Sequence, residues 1–270
     1  MKLTEQQLRF FHTFGYLHVG QLFSADEIGW ITREFETALN TLGGGNKHDG
    51  SKRTMLLAPC DRTTRLCTLV DDSRIVGIAS AILGEDFNYA IGDGNYYAGD
   101  TGWHPDGNWG QLFACKIAFY LDPVARDTGC LRVIPGSHKP EHYIRANKIH
   151  PGQALEDFGI APRDFPGNVA LESKPGDLVI FNHDLYHAAF GGSARRRMFT
   201  MNLTRQGKTP EDIKLVRDYV SHHSAGGYNV ALGAGMYTPI MLDTAGEARK
   251  VHLRQCAQIH DELFPQFARQ

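Results

Sequence analysis

The chain's hydrophobic period changes near Phe87, from helical to strand-like, and that switch limits the folds open to it. Before it, apolar residues recur every three or four positions, as on one face of a helix. After it, short apolar runs alternate with turns that carry glycine.

In the first part, Thr4 and Gln7 form a capping box ahead of Leu8, Phe11 and Phe14, and Gly15 stands where a left-handed residue ends a helix. Tyr16–Val19 reads as a short strand, with His18 in a structural role. Ser24 and Glu27 form a second capping box before Ile28, Ile31, Phe35, Ala38, Leu39 and Leu42, and Gly43–Asn46 stops that helix. Residues 47–65 read as a long polar loop able to lie over a site, with Lys52, Arg53 and Arg62 facing an anion and Met55–Leu57 as a possible strand. A helix from Arg74 to Leu83 follows, capped by Ser73.

Strands are then expected at Phe87–Tyr97, Gln111–Leu121, Cys130–Ile134, Asn168–Leu171, Asp177–Phe181 and Met198–Leu203. Gln111–Leu121 is almost continuously apolar, as a strand buried on both faces would be. Thr209 and Pro210 open a further helix, and the last runs from about Gly246 to Leu263. Helices followed by a run of short strands predict a mainly β fold with flanking helices, a double-stranded β-helix or jelly roll of cupin type. We read residues 1–270 as one domain whose jelly-roll core spans about 87–204.

Composition removes several classes of function. A net charge of −2 and a densest basic cluster of only three residues, Arg195–Arg197, give no electrostatic footprint for nucleic acid or an anionic membrane. No apolar run approaches the roughly 18 residues that suggest a membrane span. Five cysteines, an odd number without a CxxC pair, predict reduced thiols in a cytoplasmic protein. The N-terminus lacks the apolar run of a signal peptide. No feature of the sequence fixes an oligomeric state.

The chemistry gathers at Trp103-His104-Pro105-Asp106-Gly107. On a strand, residues i and i+2 share a face, so His104 and Asp106 can aim at one point. They make two-thirds of the facial two-histidine, one-carboxylate triad that suits non-haem Fe(II) and leaves positions open for reactants. The third ligand must come from a distant strand. His187, after the strand rising to Phe181, is the leading candidate, and His183 is its competitor. A His183/His187 zinc pair fits poorly, because HxxxH spacing needs a helix and this stretch is not helical.

These motifs, in their order, resemble the phytanoyl-CoA dioxygenase family of iron(II)/2-oxoglutarate oxygenases. The matching stretches are the opening helix with Gly15-Tyr16, then Trp103–Asp106, then Leu121-Asp122 and the long run Gly129-Cys130-Leu131-Arg132-Val133-Ile134-Pro135-Gly136-Ser137-His138. Pro175–Phe181, His187 and Arg196-Arg197 complete the set. The resemblance implies that His104, Asp106 and His187 are both catalytic and metal-ligating, holding Fe(II). It implies that Arg196 binds the far carboxylate of 2-oxoglutarate, with Arg197 or Arg195 as alternatives, since a planar, always-charged guanidinium grips a carboxylate with two prongs. His138 is expected to be structural.

The implied reaction consumes O2 and 2-oxoglutarate, releases succinate and CO2, and oxidises a C–H bond of a small-molecule metabolite or natural product. A carboxylate at 106, where halogenating relatives have a small residue, favours hydroxylation, or related desaturation or ring-forming chemistry, over halogenation. Trp103, Asn108 and Trp109 are candidate substrate contacts. The rival readings are a cupin-type metal-dependent hydrolase or isomerase, and a non-catalytic binding module of the same fold.

Overall fold

A computed structural model of the chain describes residues 1–42, 51–97, 99–107, 113–192 and 196–268. The strands are β1 Tyr16–Val19, β2 Thr54–Leu57, β3 Asn88–Tyr89, β4 Asp93–Tyr97, β5 Thr101–His104, β6 Ala114–Tyr120, β7 Leu131–Val133, β8 Val169–Leu171, β9 Leu178–Asn182, β10 His187–Ala189 and β11 Arg196–Thr204. The helices are α1 Glu5–Phe14, α2 Ala25–Leu42, α3 Thr64–Cys67, α4 Ser73–Leu83, α5 Tyr143–Ala146, α6 Ala154–Phe158, α7 Pro210–His222, α8 Pro239–Asp243 and α9 Glu247–Leu263.

Two antiparallel sheets face each other. The larger runs β1-β9-β6-β11-β4-β2, with β3 also on β11; the smaller runs β5-β10-β7-β8. Neighbours in space are far apart in sequence, as the crossing connections of a jelly roll require. The expected fold class is therefore present, a jelly roll flanked by helices.

Alternation along β6 explains the layers. Ile117 and Phe119 point outward and pack with Ile31, Phe35, Ile75, Phe199 and Val216 into the largest core, beneath α2, α4 and α7. Phe119 stacks on Phe199 at 4.5 Å, and Phe199 on Phe35 at 5.7 Å. Burying each such ring stabilises the fold by roughly 1.5–3 kcal/mol. Ala118 and Tyr120 point the other way, into the space between the sheets, with Leu131, Val133, Val179 and Phe181. A third cluster, including Trp103, Ile134, Phe165 and Phe190, covers the outside of the small sheet.

Local signals read from sequence are recognisable in detail. Thr4 and Gln7 cap α1 reciprocally, and Gly15 (φ 84°) ends it with its N–H on the Phe11 carbonyl. Ser24 and Glu27 make the second box. Thr209 caps α7 with Pro210 at its start. The Pro135–His138 turn docks on the α1–β1 corner, where Gly136 N–H donates to the Phe14 carbonyl. A Cβ on Gly15 would lie 2.6 Å from His138 Nδ1, so the two motifs fit only with a glycine there.

Three expectations need correction. The single strand over Phe87–Tyr97 is two, β3 and β4, broken at Ala90–Gly92, where Ile91 takes φ 46°. The cap of α4 is Asp72, whose carboxylate accepts from Arg74 N–H, and Ser73 is already helical. The described part of the 47–65 segment is only partly as expected: Thr54–Leu57 is the edge strand β2 and Arg62 donates to the Leu57 carbonyl, while Arg53 and Met55 do line the cavity between the sheets. Residues 47–50 and the 43–46 stop lie outside the described residues. All five cysteines are buried as thiols. Among the described residues, no helix is long and apolar enough to cross a membrane.

Candidate metal centre

His104 and His187 meet because their strands pair. They are direct partners in the β5–β10 register, and their ring centroids lie 4.4 Å apart. Asp106 arrives differently. It lies beyond the end of β5, past Pro105, and its backbone N–H is held by the His183 carbonyl at 2.8 Å. The i, i+2 alternation of a strand therefore does not aim this carboxylate; a loop pinned to the chain after β9 does.

One donor atom from each of His104, Asp106 and His187 falls within 4.8 Å of the others. Asp106 stands 3.7 Å from His187 Nε2 and 4.0 Å from His104 Nε2. Each imidazole is braced at its far nitrogen by a backbone carbonyl two residues earlier: His104 Nδ1 by Gly102 at 2.8 Å, His187 Nδ1 by Leu185 at 3.0 Å. That brace puts the proton on Nδ1 and turns the Nε2 lone pair inward, as metal-binding histidines require.

The charges agree with the geometry. Burial pushes the His187 imidazole down to about 4, against the pull of Asp106, so the ring is neutral at pH 7. Burial pushes the Asp106 carboxyl up, yet Lys116, His187 and His183 outweigh it and hold its pKa well below the usual range. Two imidazole nitrogens and one ionised carboxylate form a donor set that fits a divalent iron and leaves half of its coordination sphere to exogenous ligands.

Other histidines point elsewhere. His183 is fully buried, with Nε2 3.4 Å from the Tyr219 hydroxyl on α7 and its ring packed near His223. His18 faces Ser173 and Asp177. His138 is half-buried in its turn, and burial pushes it down to about 4.

The triad opens into a cavity of about 370 Å³ between the sheets. Arg196 lines the same cavity, buried, with Nη1 donating to the Gly129 carbonyl at 2.7 Å. Tyr120 stands near it, and burial pushes that phenol up to about 12 although Arg196 opposes the shift. Arg197, one residue on, points to the opposite face of β11, where Asp122 and Glu36 hold it. Strand alternation thus separates the two arginines, and only Arg196 reaches the cavity. Arg195 lies outside the described residues.

The glycine that opens the long motif has a physical reason. Gly129 takes φ +90°, and a Cβ there would come within 2.4 Å of Arg196 Nη1.

The substrate contacts expected from sequence fare differently. Trp103 does not line the cavity. It neighbours His104 on a strand, so it faces the other way, donating Nε1–H to the Pro162 carbonyl and packing against Phe190. Asn108 and Trp109 lie outside the described residues.

The described cavity wall carries Arg53, one of the cations expected to face the site, together with Asp93, Asn95, Lys116, Thr200 and Tyr228. Arg53 Nε donates to Asn95 Oδ1 at 2.6 Å, and its guanidinium pairs with Asp93 at 3.6 Å. Lys116 stands 2.9 Å from Asp106 Oδ2, in an ion pair without hydrogen-bond direction. Burial works against its charge, but Asp106 and Asp93 hold its pKa above the ordinary lysine value. A sequence signal for Lys116 existed: it is the one charge in the apolar run 111–121.

Residues 11–199 match the phytanoyl-CoA dioxygenase family. The chain belongs to that family. Its members are Fe(II)/2-oxoglutarate oxygenases, and the matched span contains the triad and Arg196. Two ectoine dioxygenases are similar along most of their length. That of Sphingopyxis alaskensis is 23% identical over 222 residues, 70% of this chain and 71% of its own. That of Stutzerimonas stutzeri is 25% identical over 223 residues, 70% and 73%.

Among solved structures, the non-haem α-ketoglutarate-dependent carbocyclase SnoK from nogalamycin biosynthesis superposes with a TM-score of 0.58 at 20% identity, covering 75% of this chain and 84% of SnoK. EvdO2 from Micromonospora carbonacea var. aurantiaca, complexed with 2-oxoglutarate, gives 0.55 at 19% identity, covering 76% and 92%. At such identities the superpositions show a shared jelly-roll fold.

Proposed function

We propose that the protein uses Fe(II), 2-oxoglutarate and O2 to oxidise a C–H bond of a small-molecule metabolite or natural product, with hydroxylation as the outcome. The observation that carries this reading is the convergence of His104, Asp106 and His187 at one end of a cavity whose wall also holds Arg196. The bound iron would supply the redox chemistry that couples loss of CO2 from 2-oxoglutarate to oxidation of the substrate.

The chain's own residues do the positioning. His104, Asp106 and His187 would hold the metal, with Gly102 and Leu185 fixing the imidazole orientation. Arg196, fixed by Gly129, would take the distal carboxylate of 2-oxoglutarate. Ala118, Tyr120, Leu131 and Phe181 keep that end of the cavity largely apolar and limit water. Neighbouring folds include a carbocyclase and an epimerase, so the fold does not choose the outcome. The carboxylate at 106 speaks for oxygenation against halogenation.

Anaerobic Fe(II) and 2-oxoglutarate should together give a weak visible charge-transfer band. In air, succinate release should rise with the right substrate, and Arg196→Ala should raise the 2-oxoglutarate requirement steeply. A colourless mixture forming no succinate would favour a cupin-type hydrolase or isomerase, for which Arg196→Ala should matter little.

A further inference from the structure

Lys116 needs a reason. Its neighbours on the inner face of β6 are Ala118 and Tyr120, and its cross-strand partners are Phe181 on β9 and the neutral Asn202 on β11. A lysine on such a face is costly unless its charge is met. Asp106 meets it, at 2.9 Å. A neutral amide or hydroxyl could orient Asp106 without bringing a second full charge beside a metal cation, so orientation alone does not account for a lysine here.

A charge balance of the cavity points to what does. Among the described residues, the charged groups lining it are Arg53, Lys116 and Arg196 against Asp93 and Asp106, with the histidines neutral as ligands. An Fe(II) ion and a 2-oxoglutarate dianion cancel each other, so these described residues, once loaded, keep one excess positive charge. The other partners are accounted for. Arg53 pairs with Asp93, Arg196 would take the co-substrate, and Asp106 would give its charge to the metal. Among the described residues, the charge left without a full counterpart is that of Lys116, which lines the cavity beside the triad.

We propose that Lys116 anchors a single carboxylate on the substrate, so that this protein oxidises small carboxylic acids close to their acid group. The inference rests on the Fe(II)/2-oxoglutarate reading above. A carboxylate suits the balance better than a phosphate monoester, which brings close to two negative charges at pH 7. Asp93, Asn95, Thr200 and Tyr228 then offer a polar wall for the rest of the molecule.

The test is a panel of small carboxylic acids, each paired with its primary amide, on the intact protein with Fe(II) and 2-oxoglutarate. Two readouts apply: change in the anaerobic visible band, and extra succinate in air. The acids should outperform their amides by about 10- to 150-fold, the range for a charge-assisted hydrogen bond. Lys116→Met should erase that preference and Lys116→Arg should keep part of it.

Acids no better than amides, or a preference that survives in Lys116→Met, would overturn the assignment. So would a Lys116→Met variant whose defect is confined to the 2-oxoglutarate requirement, since Lys116 would then serve the co-substrate. Absence of the visible band in the unmodified protein would instead sink the underlying oxygenase reading, which keeps the two failures distinct.

Discussion

Replacing Gly129 by alanine tests how Arg196 is held. The added Cβ would lie 2.4 Å from Arg196 Nη1, 3.0 Å from its Cδ and 3.1 Å from the Gly192 Cα, so the guanidinium must move. Moving it breaks the 2.7 Å bond to the Gly129 carbonyl and takes the charge off its line into the cavity. A charge-assisted hydrogen bond contributes about 1.5–3 kcal/mol, which predicts 2-oxoglutarate affinity weakened by about 10- to 150-fold. The positive φ adds about 1–2 kcal/mol of backbone strain, or about 2–8 °C in Tm.

Strain alone is isolated by Gly159→Ala. Gly159 also has positive φ (+69°), but a Cβ there meets nothing within 4 Å. Isothermal titration of 2-oxoglutarate into the Mn(II)-loaded protein should show the loss only in Gly129→Ala, while melting curves show destabilisation in both. Unchanged affinity in Gly129→Ala, or equal loss in both variants, would refute the steric account of Arg196.

His187→Ala should abolish tight Fe(II) binding and succinate formation while the protein stays folded; full activity there, with loss in His183→Ala, would mean that the wrong histidine was assigned. Trp103→Ala should cost about 3–5 kcal/mol of stability through its lost packing, read by chemical denaturation, and folded Trp103→Phe should keep its substrate KM because Trp103 faces away from the cavity. Asp61 is fully buried, and burial pushes its carboxyl up to about 7 from 3.8, against hydrogen bonds from Tyr89 and Thr238. Between those two values the native state keeps a proton that the unfolded chain releases, so this group's contribution to stability is full below about pH 4 and is lost as pH rises to about 7, by about 4 kcal/mol in all. Comparing Tm against pH for the unmodified protein and Asp61→Asn should show that slope vanish in the variant; an identical slope in both would refute the assignment to Asp61.

The local order of this protein was legible in the sequence because local signals are short-ranged. Thr4 with Gln7, Ser24 with Glu27, and Thr209 with Pro210 act within one helical turn, and they cap the helices they announce. The continuous apolar run of β6 and the run Gly129–His138 likewise carry their meaning in their own spacing, although which face of β6 meets which core is visible only in the fold. Where the sequence misled, a local rule was applied without its consequence. Trp103 neighbours His104, and period-two alternation already required it to face away.

Pairing and long-range charge belong to the tertiary structure. His104 and His187 are 83 positions apart, and only the β5–β10 register sets them side by side. Asp106 is aimed by the carbonyl of His183, a residue whose side chain serves a different cluster. Arg196 and Arg197 are the same residue type in adjacent positions, and only the sheet decides that one faces the cavity and the other faces Asp122 and Glu36. Capping and alternation are settled by bonds within a few residues, so a chain carries them wherever it goes. A site made of charges from separate strands exists only after folding has brought those strands together.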